Sequence, residues 1–248
     1  MKIHINTANS RIETDNPKLF QALYDLYSFK VPGAEYSMAY KRKNWDGKQH
    51  FISRAGIFRT GLLPRLLEDL EKIECIPELE YVHKKQVTHN SYDIDQFSFY
   101  DYQEKFIKKA LGSQRGVIKS PTGSGKTLIM AAIAKAWSNK KMVLLFNAKQ
   151  LLTQTYKFFT DTCGIDNVGL CYGEGYLYGD IMLCTVQSIE KIMDTHLKEA
   201  EVLMVDECHE FANGKTTLAA IRSFPNAQIR LGFTATPPKD KIPRYNLE

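Results

Sequence analysis

The chain has 248 residues, 44% of them hydrophobic and 25% charged, with a formal net charge of +5. That balance fits a soluble globular protein of one or two domains and excludes a disordered tail, a collagen-like fibre and a disulfide-dense miniprotein. No apolar run is long enough for a transmembrane helix, and the opening MKIHINTANSRIET lacks the apolar stretch of a secretory signal.

Lys2 to Thr7 alternates, with Ile3 and Ile5 on one face, which predicts a half-buried strand. Asn16-Pro17 predicts an N-cap and first helical position, and Leu19, Leu23, Leu26 and Tyr27 follow at helical spacing. From Glu35 to Ser53, two short strand-like runs flank Asp46-Gly47, a hairpin signal. A second helix is expected over Leu62 to Ile73. These elements make residues 1–88 a small α+β domain. Residues 84–98 are polar without a period, which puts a linker at 89–98.

From residue 99 to 248, short apolar runs alternate with helical stretches: GVIKS, MVLLF, DIMLCT, EVLMVD and IRLGFT each end a segment of this kind. Continuous apolar strands between helices predict an α/β fold, a parallel sheet covered on both faces. Five cysteines (75, 163, 171, 184 and 208) are odd in number and form no C-x-x-C pair. They argue against a disulfide framework or a zinc site and for a reducing compartment.

Ser120-Pro-Thr122-Gly123-Ser124-Gly125-Lys126-Thr127 follows one expected strand (116–119) and opens a helix (128–137). That context suits a phosphate-binding loop. Gly123 and Gly125 let backbone N–H groups curl toward phosphate oxygens, and the helix N-terminus adds positive potential. Lys126 is placed to reach the β- and γ-phosphates, and the Thr127 hydroxyl to ligate Mg²⁺. Further on, Val202-Leu-Met-Val delivers Asp206 and Glu207 at a strand end, where ligands sit in open α/β sheets. Asp206 is assigned to the Mg²⁺ shell and Glu207 to the attacking water. His209 has no second His or Cys at ligand spacing, so it is read as a polar coupler.

Taken together, SPTGSGKT and Asp206-Glu207-Cys208-His209 resemble the RecA-like motor core of superfamily 2 helicases and translocases. Tyr102-Gln103 resembles the motif that reads adenine, which implies that role for Gln103. Phe146-Asn147-Ala148-Lys149 resembles motif Ia, with Asn147-Ala148 where the family usually has Pro-Thr. Thr185-Val-Gln187-Ser188 resembles motif Ib, and Gly232-Phe-Thr234-Ala-Thr236-Pro resembles motif III. The likeness implies ATP and Mg²⁺ as cofactors. It implies nucleic-acid backbone contacts for Asn147, Lys149, Thr185 and Gln187, and coupling roles for His209, Thr234 and Thr236. Ser120 departs from the usual Gly or Ala at the first loop position.

The N-terminal block, with Tyr40-Lys41-Arg42-Lys43-Asn44-Trp45-Asp46-Gly47-Lys48, is similar to the accessory domain of phage UvsW-type helicases. That likeness implies ATP-driven remodelling of branched or forked DNA in recombination and replication. It places the activity in the cytoplasm of an infected bacterium. Charge supports it independently: between residues 30 and 65, eight Lys and Arg stand against two acids. Lys41, Arg42, Lys43 and Trp45 combine phosphate neutralisation with an aromatic surface, so DNA contact is expected there. The partner is expected to be DNA rather than RNA, with no membrane, and the chain a monomer.

No paired-arginine motif follows Thr236, so the chain is read as an N-terminal portion holding the first of two motor domains. Weak hydrolysis is expected of it alone. Two other readings share these motifs: a double-strand translocase of a restriction-type system, and an ATP-switched nucleic-acid-binding module without catalysis.

Overall fold

The computed structural model describes residues 1–82, 88–212 and 215–240. The start of the polar stretch before the expected linker and the polar C-terminal residues lie outside the described residues. The chain divides into two compact units, Met1–Lys85 and Gln86–Pro238.

The first unit comprises β1 (Lys2–Ile5), β2 (Asn9–Glu13), α1 (Pro17–Leu26), β3 (Ser28–Lys30), α2 (Met38–Lys41), β4 (Lys48–His50), β5 (Ile57–Arg59), α3 (Leu63–Glu71) and β6 (Glu78–Tyr81). Its main sheet has the order β5-β2-β1-β6. β1 runs antiparallel to β2, with Ile3 opposite Ile12, and parallel to β6. The alternation in β1 therefore puts Ile3 and Ile5 into the core, where they meet Leu23 and Tyr27 and, from α3, Leu66 and Leu70. Burying each such side chain contributes roughly 1.5–3 kcal/mol. Helix α1 starts as its sequence signals: Asn16 Oδ1 accepts the Leu19 N–H at 3.1 Å and Pro17 fills the first turn. Of its apolar positions Leu26 faces solvent, 52% exposed.

The hairpin expected at Asp46-Gly47 does not form. The run before the turn is helical: a 3₁₀ turn over Ala34–Tyr36 is followed by α2. Ser37 decides this, because its hydroxyl accepts the Ala39 and Tyr40 N–H groups and caps the helix. The run after it, β4, pairs antiparallel with β3 instead, Phe29 opposite Gln49. Residues 31–47 are thus a closed loop, tied by the Val31 N–H to the Gly47 carbonyl at 2.8 Å. Asp46 Oδ1 accepts the Lys48 N–H at 3.0 Å, and Gly47, at φ +75°, packs under the Tyr40 ring.

The second unit carries α4 (Asp101–Ser113), β7 (Arg115–Lys119), α5 (Lys126–Ala136), β8 (Met142–Phe146), α6 (Lys149–Lys157), β9 (Val168–Tyr172), β10 (Gly175–Leu177), β11 (Ile181–Thr185), β12 (Val202–Val205), α7 (Cys208–Phe211), α8 (Lys215–Arg222) and β13 (Ile229–Thr234). The seven-stranded sheet has the order β10-β9-β11-β8-β12-β13-β7. Every pairing in it is parallel except the β9–β10 hairpin. Apolar side chains alternate to the two faces. Leu144, Leu183, Met204 and Leu231 pack under α5, while Val143, Met182, Leu203 and Phe224 form the other layer. Residues 88–98 hold no helix or strand, yet Ile94 is buried in the first layer and the Asn90 N–H donates to the Ala136 carbonyl.

Because the six strands β7 to β9 share one direction, their C-terminal ends open on one edge. The opposite edge is closed by ion pairs: Lys140 with Glu201 at 3.0 Å, and Lys141 with Glu199. The β9–β10 hairpin returns across β9 at Gly169, where an added Cβ would meet Gly179 N at 2.5 Å and Leu177 O at 2.6 Å. Both are backbone atoms and cannot swing aside. Gly169→Ala is expected to destabilise the fold by about 1–3 kcal/mol, seen as a lower thermal midpoint; an unchanged midpoint would mean the crossing is slack.

Candidate nucleotide site and nucleic-acid interface

The strand order places the two halves of the candidate nucleotide site. β7 ends in the phosphate loop, β12 ends in Asp206, and β13 lies between them. The Ser120 N–H donates to the Thr234 carbonyl at 2.9 Å, so the loop is laced to the middle strand. Gly123 and Gly125 both have left-handed backbones, φ +79° and +75°. A Cβ at Gly123 would meet nothing within 4 Å, which leaves the loop open above its backbone. Ser120, the departure from the family pattern, is buried, and its hydroxyl bonds that of Ser124. A small polar residue there braces the loop from below.

Lys126 opens α5 and reaches both acids: its Nζ lies 2.9 Å from Asp206 Oδ1 and also bonds Glu207 Oε1. Burial alone pushes the ammonium down, but hydrogen bonds to Asp206 and Glu207 outweigh it and hold the pKa above the usual lysine value. Glu207 is the N-cap of α7 with φ +45°, a left-handed backbone that costs an L-residue about 1–2 kcal/mol. This turn lets successive carboxylates face one cation; Asp206 Oδ1 also accepts the Glu207 N–H at 3.0 Å. Cys208, between them and the core, is driven to a pKa of about 12 by burial and by the two acids, so it stays a neutral packing group. Thr127 is half-buried beside Lys126, and Thr122 is exposed.

His209 joins the acids to motif III: its Nδ1 lies 2.8 Å from Thr234 Oγ1 and 3.3 Å from Glu207 Oε2. The Thr236 N–H donates to the same Thr234 hydroxyl at 3.0 Å. Gln103 is 3% exposed. Its Oε1 accepts the Tyr100 N–H at 3.0 Å, capping α4, and its Nε2 donates to the Ser124 carbonyl at 3.0 Å. Tyr102 donates its hydroxyl to the same carbonyl, and its ring stacks on Tyr100. In this structure Gln103 grips the phosphate loop with the amide that the resemblance assigns to adenine.

The other motif residues divide. Asn147 leaves β8 and donates to Glu210 of α7, a partner 63 residues away that no sequence signal marked. Lys149 lies over the Tyr172 ring, 4.5 Å from its centroid. Gln187 is exposed at the same edge. Thr185 is buried, with its hydroxyl donated to Ser188 Oγ at 3.1 Å, so it fixes a turn. In the first unit Lys41, Arg42 and Lys43 are exposed, whereas Trp45 is half-buried and donates its indole N–H to the Lys48 carbonyl at 2.8 Å.

A phosphate loop, a cation bridged to two carboxylates and a threonine-capped middle strand are therefore assembled on one sheet edge. The family described as Type III restriction enzyme, res subunit, matches residues 96–239, more than half of the chain. The chain belongs to this family. This member resembles superfamily 2 helicases over almost all its length. It is 21% identical over 264 residues to the ATP-dependent DNA helicase uvsW of Enterobacteria phage T4, covering 95% of this chain and 52% of that protein. It is 31% identical over 136 residues to the chloroplastic DExH-box ATP-dependent RNA helicase DExH15 of Arabidopsis thaliana, covering 47% of this chain and 12% of that protein. In fold it matches a crystal structure of the UvsW helicase from bacteriophage T4 with a TM-score of 0.79 and 17% identity, over 99% of this chain and 97% of that one. The chain thus spans about half the length of the phage helicase.

Proposed function

We propose that this chain is the ATP-binding portion of a superfamily 2 motor that unwinds or remodels branched DNA. The observation that carries the reading is Lys126 bridged to both Asp206 and Glu207 across β13. The loop backbone over 122–125 and Lys126 hold phosphates. Thr127 and Asp206 would hold Mg²⁺, which would supply charge neutralisation at a phosphoryl group. Glu207 orients the attacking water. Gln103 with Tyr100 and Tyr102 forms the adenine side. His209 and Thr234 pass the state of the site to the nucleic-acid edge, where Asn147, Lys149, Thr185 and Gln187 lie.

DNA is favoured over RNA because the likeness to the phage DNA helicase runs through the basic N-terminal unit as well as the motor. A monomer working in the cytoplasm of an infected bacterium fits the same likeness. Replacing Lys41, Arg42 and Lys43 by alanine is expected to weaken DNA binding and to reduce the slope of log affinity against log salt by about 2–3. An unchanged slope in anisotropy titrations would remove this patch from the interface.

A second reading, a double-strand translocase of a restriction-type system, is favoured by the family description. Strand displacement by the full-length protein separates the two. Unwinding of a forked duplex with ATP supports the helicase; ATP-driven movement along a duplex whose strands stay paired supports the translocase.

A further inference from the structure

The loop over residues 31–47 presents apolar side chains where a loop is ordinarily polar. Tyr36 is 78% exposed and Met38 60% exposed. They flank Ser37, whose hydroxyl caps α2, so their backbone is fixed. The loop beneath them is anchored at several points. Ala34 is buried, Gly47 bonds Val31, Trp45 bonds Lys48, and Asp46 pairs with His50 at 3.0 Å. The tip is rigid and wet at once, a costly arrangement unless something covers it. Met38 and Arg42 lie one helical turn apart on the same face, the Arg42 N–H donating to the Met38 carbonyl at 3.0 Å. Lys41 and Lys43 stand beside them, both exposed. Of the two acids in the loop, Asp46 is engaged by His50, which leaves Glu35 against three cations.

A flat aromatic ring and a polarisable thioether beside a row of cations match one ligand chemistry: a polyanion carrying planar faces. We propose that Tyr36 and Met38 form a base-contacting tip that packs against the first unpaired bases at a duplex end, while Lys41, Arg42 and Lys43 hold the adjoining phosphates. Paired bases inside a duplex offer no free face, so the tip selects forks and single strands over blunt duplex. The inference rests on the DNA reading above and adds the groups that make it structure-selective.

The test uses the 248-residue chain and three DNAs: a fork with 2-aminopurine at its first unpaired position, a single strand, and a blunt duplex. Stacking on an aromatic side chain changes affinity by about 5- to 150-fold per base. Tyr36→Ala/Met38→Ala is expected to weaken fork and single-strand binding about tenfold or more. Blunt-duplex affinity and the salt slope should stay as in the wild type, and the 2-aminopurine quenching should be lost. Tyr36→Trp should retain fork binding and quenching, which excludes a folding defect, as should an unchanged thermal midpoint in the double variant. Equal fork affinity in the double variant and the wild type overturns the proposal, as does equal loss on all three DNAs. The Lys41, Arg42, Lys43 alanine variant separates the levels. If it weakens binding while the tip variant does not, the DNA reading stands and this inference falls. If neither variant changes binding, the unit does not hold DNA and the tip belongs to a protein interface.

Discussion

Lys126→Ala is expected to lower affinity for ATP with Mg²⁺ by about two to three orders of magnitude, since it deletes one member of a partly buried, hydrogen-bonded charge cluster. Calorimetric titration measures it; equal affinity in variant and wild type would refute the phosphate assignment. The same change alters the free protein. With the ammonium gone, Asp206 and Glu207 face each other across the space it held, and like charges at that separation oppose folding. In the wild type the Lys126 pKa lies above the unfolded value. Its contribution is therefore complete below the ordinary lysine range and disappears only as pH rises through the raised folded value.

Glu207→Gln should give the opposite partition. The amide oxygen still accepts from Lys126, and the left-handed turn after Asp206 is unaltered, so nucleotide binding should persist. Loss of a general base costs about 10²–10⁴ in turnover. Phosphate release by the full-length protein, measured beside calorimetric binding, gives both numbers. Turnover within a few-fold of the wild type would show that another group orients the water. The backbone at Glu207 adds a physical reason to expect function here, since a non-glycine residue at φ +45° persists only where surrounding structure holds it.

The candidate nucleotide site was legible because each half is a local word: a strand, a glycine-bearing loop, a helix; or a strand followed by two acids. Six strands of one direction then bring those words together with no further instruction. The five apolar runs that mark the sheet were equally plain. The β9–β10 hairpin was not, because Gly169 interrupts its apolar run and its two turn residues are Gly173-Glu174 rather than an Asn-Gly or Asp-Gly pair. The misread of residues 35–53 has a single cause: Asp46-Gly47 makes a turn as its chemistry demands, but Ser37 had already committed the preceding run to a helix. What no reading of neighbours could supply were pairs distant in the chain. Gln103 under Ser124, Asn147 with Glu210 and Lys149 over Tyr172 exist only once the strands are in order. They also sort the motif residues: Thr185 is committed to its turn, while Gln187 stays open.

The one-way sheet has a practical corollary. β8 is five residues long, so its two ends stand roughly 17 Å apart. Lys140 and Lys141 occupy the far end, away from every phosphate-facing group and held by Glu201 and Glu199. A fluorophore carried there would sit at a fixed, short ruler's length from a nucleotide held at the candidate site. It would report arrival and departure by energy transfer while leaving the reacting edge untouched.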